Sequence, residues 1–232
     1  MAGMTIVGIS MVVLPLLLIG GWLSLLWSSG VADRSELLRR LAIGWGVWAL
    51  GWLALAGSGV LAAKPQLFLG VMPLMVLLTI VVTRSRLGEV LAGQTALCVL
   101  VGMQSFRLPL ELVMHQAAAE GLMPDQMTFG GNGRNYDIVT GATALVLALI
   151  LRSRELPKAV TLAWNVMGFA LLVNIVVVAV MSTPMFAKFG TEPHQLNTWV
   201  FHAPYVWLPS VLVASALLGH VLIFKKLLAR TG

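Results

Sequence analysis

Charged side chains are scarce in this sequence: 10% of its 232 residues are Asp, Glu, Lys or Arg, against about 25% in soluble domains. The shortage excludes an ordinary water-soluble globule with a solvated surface. Cysteine is almost absent too. Cys98 stands alone in an apolar run, so no intramolecular disulfide can form and cysteine usage does not report the redox compartment. Its expected role is that of a small buried packing residue. The four histidines show neither HExxH nor HxxxH spacing, so the helical zinc motifs are missing. The opening stretch MAGMTIVGISMVVLPLLLIGGWLSLLW lacks a basic start and outruns the roughly 7–15 apolar residues of a secretory signal. It predicts a retained first span.

Hydrophobic residues make up 59% of the chain, and the mean hydropathy is +0.92. Apolar runs of about 20 residues recur along its length, each enough to cross a bilayer as a helix. Helices are required because lipid offers no partners to backbone N–H and C=O groups. The fold class expected is therefore an all-α membrane protein, a single domain over residues 1–232 with seven transmembrane helices. The predicted spans are Met4–Trp27, Leu41–Ala63, Gln66–Thr83, Val90–His115, Tyr136–Leu151, Ala159–Met181 and Ala203–Phe224.

The net charge of +6 does not signal nucleic acid, because the basic residues sit in short connections beside apolar runs. Arg34, Arg39, Arg40, Arg84, Arg86, Arg152, Arg154, Lys158, Lys225, Lys226 and Arg230 fall on one side of the seven-span scheme, and Lys64, Arg134 and Lys188 on the other. Eleven against three predicts an N-terminus outside and a C-terminus in the cytoplasm. Span two carries Trp45, Trp48 and Trp52 on one face, suited to helix packing or to the wall of a ligand cavity. Pro15 and Pro73 are expected to bend their helices.

The polar residues concentrate between Phe106 and Asp137. Arg107, Glu111 and His115 are spaced four apart on one helical face. A charge at membrane depth costs about 2.5–3.5 kcal/mol on insertion scales. Arg107 and Glu111 are therefore expected to pair and to face the bundle interior or a water-filled cavity. Gly130, Gly131 and Gly133 surround Asn132 in the following loop. Asn135 can cap the fifth span, with Asp137 in its first turn complementing the helix dipole. Alternatively, both close the mouth of a pocket. The last outer loop brings Glu192, His194, Asn197 and His202 to the same side, followed by Tyr205 and Trp207. Asn165 and Asn174 lie in span six, where a buried Asn bonds a neighbouring helix. His220 is expected at the interface near the cytoplasmic end of span seven. His115, His202, Glu111 and Asp137 have the chemistry of zinc ligands but no diagnostic spacing, so no metal is assigned and no cofactor is identified.

The stretch from Ser105 to Gln116 (SFRLPLELVMHQ), then Gly121-Leu-Met-Pro, Met127-Thr-Phe, Arg134-Asn-Tyr-Asp-Ile-Val-Thr-Gly and His202-Ala-Pro-Tyr-Val-Trp-Leu-Pro, resembles a family of bacterial multi-pass membrane proteins of unknown function. The resemblance covers roughly the C-terminal half. It implies an inner-membrane setting in a bacterium and no reaction. Microbial rhodopsins are similar in size, but the last span offers only Lys225 and Lys226 at its end for a retinal linkage. Seven-span zinc hydrolases are similar in span count alone.

These features favour a ligand-binding membrane protein, a sensor or carrier, with a pocket open to the outer side. Its binding residues would be Arg107, Glu111, His115, Asn135, Asp137, His202 and Trp207, and its ligand small and amphipathic or anionic. Tyr136 and the span-two tryptophans would add apolar walls. Two other readings stay open: a membrane hydrolase with a metal or a His–carboxylate site, and a structural subunit of a membrane complex.

Overall fold

The computed structural model describes residues 5–229. Met4 and Arg230, used above for the first span and the basic count, lie outside the described residues. The chain is all-helical, with no strand among the described residues. Its helices are α1 (Ile6–Trp27), α2 (Arg34–Gly57), α3 (Val60–Ala63), α4 (Val71–Arg84), α5 (Arg86–Gln94), α6 (Leu97–Met103), α7 (Arg107–Ala119), α8 (Asp137–Ser153), α9 (Lys158–Met181) and α10 (Ala214–Leu228). Short 3-10 turns join several of them.

Among the described residues, six stretches are long and apolar enough to cross a membrane: Ile6–Trp27, Arg34–Gly57, Pro65–Arg84, Leu97–Ala119, Lys158–Met181 and Leu208–Leu228. This array suggests a multi-pass membrane protein. The remaining long apolar helix, α8, has 17 residues, about 26 Å at 1.5 Å per residue.

Spans two and four depart from their expected bounds. Span two starts earlier than Leu41, because Arg34, Arg39 and Arg40 are already helical and Glu36 bridges Arg39 at 2.6 Å and Arg40 at 2.7 Å. It ends at Gly57, where Gly59 takes φ +76°. Span four is not continuous from Val90 to His115. Thr95 and Ala96 are extended, so α5 is a separate helix folded back on α4. The α4–α5 turn is tight enough that a side chain at Gly88 would meet the Val82 and Thr83 backbone. Pro73 and Pro109 both fall in the first turn of their helices, where no intrahelical N–H bond is lost.

The last span closes the bundle. It enters through a wide π turn, Leu208–Val213, before continuing as α10. Here it is tied to α2 by two reciprocal bonds. The Trp48 indole donates to the Ser210 carbonyl at 2.6 Å, and the Trp207 indole to the Ala49 carbonyl at 2.9 Å. At its far end Lys225 donates to the Thr83 carbonyl, and Lys226 to those of Ala92 and Gly93 at 3.0 and 3.3 Å. These lysines thus cap the C-terminal ends of α4 and α5, where the helix dipole favours a cation.

Candidate functional site

The site is built where α7 crosses α8. A side chain at Gly141 would collide with the Arg107–Leu108 backbone, so the absence of one sets how closely the helices approach. One turn earlier on α8, Asp137 is thereby brought beside Arg107. Arg107 Nη1 donates to Asp137 Oδ1 at 2.9 Å and to the Gly168 carbonyl of α9 at 3.3 Å. Both residues are buried, with 1% and 6% of their side-chain surface exposed. This corrects the expected Arg107–Glu111 pair: the guanidinium reaches across the helix crossing rather than along its own helix.

Glu111 bonds Asn135 instead, whose Nδ2 donates to Glu111 Oε2 at 2.6 Å and to the Met127 carbonyl at 3.2 Å. Asn135 Oδ1 accepts the backbone N–H of Asp137 at 3.0 Å. Asn135 thus meets both Glu111 and the first N–H of α8, but it is not among the residues that line the cavity described below. Its side chain receives the first N–H of α8, bonds the loop at Met127 and holds Glu111 at once.

His115 does not join them. Each step of four residues turns about 40° beyond a full helical turn, so two steps carry it about 80° from Arg107. It is exposed and stacks on Phe129, with ring centroids 5.0 Å apart. His202 is exposed as well. Trp207 is buried against α2, and Tyr136 is 56% exposed. Neither histidine hydrogen-bonds to Glu111 or Asp137, and among the described residues no three His, Cys, Asp or Glu side chains converge as metal ligands would.

A cavity of about 60 Å³ adjoins the carboxylates. Arg107, Glu111, Asp137 and Asn197 supply its polar wall. The rest is apolar, including Phe68, Met114, Leu172, Val200, Leu208 and Leu212. The 120–136 loop and the segment after α9 meet over this end of the bundle. Gln126 donates to Ser182 Oγ at 3.1 Å and to the Gln195 carbonyl at 2.7 Å, and Asn174 donates to the Arg134 carbonyl at 2.8 Å. Asn197 is buried and donates to the Ala179 carbonyl at 3.0 Å, leaving its Oδ1 without a donor. Trp45 and Trp48 line a different recess of about 160 Å³, together with Arg40, Met75 and Leu218.

Sequence reasoning missed the inner half of the polar cluster. Asn165 donates to the His220 carbonyl at 3.1 Å, and its Oδ1 stands 2.7 Å from His220 Nδ1. His220 is therefore a fully buried residue rather than an interfacial one. With Nδ1 as donor to Asn165, Nε2 is left as an acceptor, and it has no partner. Thr140 Oγ1 and the Nε and Nη2 atoms of Arg107 are likewise buried and unpartnered. A side chain at Gly168 would strike Thr140 and His220, so these groups pack on the glycine whose carbonyl Arg107 bonds. Buried polar groups normally have partners, and this set contains both donors and acceptors, the requirement for bridging water. Helical spacing carried a signal for one member: Thr140 lies three residues after Asp137.

A family model described as a domain of unknown function (DUF8737) matches residues 62–228. The chain belongs to this family. No curated protein matches it, and no solved structure does.

Proposed function

We propose that this DUF8737 member is a ligand-binding protein of the bacterial inner membrane, a sensor or carrier, with seven spans and a pocket near the outer surface. The observation that carries the reading is the cavity whose apolar wall ends on the buried Arg107, Asp137 and Glu111. Intramembrane ionisable groups are expensive and mark ligand or ion pathways, and an apolar recess with a few convergent polar groups is the usual form of a small-molecule site.

The span that completes this scheme, fifth in chain order, is α8. Its length of about 26 Å falls a little short of the roughly 30 Å hydrocarbon core, consistent with a start below the surface under the 120–136 loop. The orientation, with the N-terminus outside, rests on the eleven-to-three distribution of basic residues. The ligand-binding reading is preferred to a hydrolase because His115 and His202 stand apart from the buried carboxylates.

Native mass spectrometry of the protein released from its own membrane tests the reading. A bound small molecule is expected on the wild type and is lost in Leu212→Trp, which fills the cavity. A wild type that carries no such mass, and takes up none from a small-amphiphile panel, overturns it.

A further inference from the structure

We propose that the cavity accepts a short organic cation, a primary alkylammonium, with Glu111 as its counter-charge. This rests on the ligand-binding reading above and names the chemistry of that site. Arg107 and Asp137 form a closed pair at 2.9 Å. The donor to Glu111 is the uncharged amide of Asn135. With its carboxylates ionised, the site therefore holds one negative charge that no protein cation matches.

The open valences point the same way. Glu111 Oε1 has no protein donor and is not among the sealed, unpartnered atoms, so it remains open to the cavity that Glu111 lines. Asn197 Oδ1, in the same wall, is buried without a donor. The free nitrogens of Arg107 are sealed, in the set that includes Thr140 Oγ1 and His220 Nε2 around Gly168. The cavity thus presents acceptors and a negative charge, and an ammonium brings three donors and a positive one. At about 10–15 Å³ per water-sized group, the volume suits a head group and short chain of about four to six heavy atoms. The apolar wall takes the alkyl part.

Calorimetry on the full chain in lipid nanodiscs, with pentylammonium, pentanol and pentanoate, tests this. Pentylammonium is expected to bind most tightly. Glu111→Gln, which can still accept from Asn135, is expected to weaken it roughly 10- to 100-fold and to weaken pentanol far less. Asn197→Leu is expected to weaken it severalfold. Stronger binding of pentanoate overturns the inference in favour of an anion site. Equal binding of pentanol and pentylammonium also overturns it, while leaving the cavity as a binding site. If none of the three binds, the ligand-binding reading itself fails. The three-ligand ranking uses the unmodified protein, so it decides the matter even if Glu111→Gln does not fold.

Discussion

Two sets of ion pairs lie at different places in the molecule and look alike by distance. Glu36 bridges Arg39 and Arg40 at 2.6 and 2.7 Å, and Arg107 bridges Asp137 at 2.9 Å. Their surroundings differ. The Arg39 and Arg40 side chains are 69% and 71% exposed, and Arg107 is 1% exposed. An exposed pair trades water for a partner at little net gain. A buried pair has already lost its water, so each member depends on the other. Burial, rather than length, decides which pair the fold needs.

The comparison is broken most directly at Arg107. Arg107→Met leaves Asp137 buried without its partner and should cost about 3–5 kcal/mol, measured as reversible unfolding in mixed micelles. The double variant Arg107→Met, Asp137→Ala should recover much of that loss, since removing both partners leaves no stranded charge. A double variant as unstable as the single one would show that the pair is not the source of the effect. A middle case sharpens the contrast: Asn165→Leu strands the Nδ1 and carbonyl of His220 and should cost about 1–3 kcal/mol. At the other end, Glu36→Gln should leave the unfolding transition unmoved. A clear shift there would mean the exposed pairs matter more than their solvation allows.

The same contrast explains how much of the molecule could be read in advance. Long apolar runs are a local property, and they placed most helices within a few residues. The break at Thr95 was not legible, because an apolar run continues through a backbone bend whose cause is the fold-back of α5. Arg107, Glu111, Asn135 and Asp137 were legible as polar residues out of place in lipid. Which of them pair was not, since that depends on where α7 crosses α8, and the crossing is set by Gly141, a residue with no chemistry of its own. His220 was misplaced for the opposite reason. Its position near a helix end suggested an interface, and only the facing Asn165 shows it to be interior.

The bonds made by the last span have a consequence for biosynthesis. Trp48 and Ser210 are 162 residues apart, Ala49 and Trp207 158, Thr83 and Lys225 142. A ribosome makes the chain from the N-terminus, so α2, α4 and α5 exist long before their partners do. Until residues 207–226 emerge, the carbonyls at the ends of α4 and α5 lack their lysines and the Trp48 indole lacks its acceptor. The insertion machinery or surrounding lipid must shelter an open bundle during that interval, and the final helix acts as the clasp that releases it.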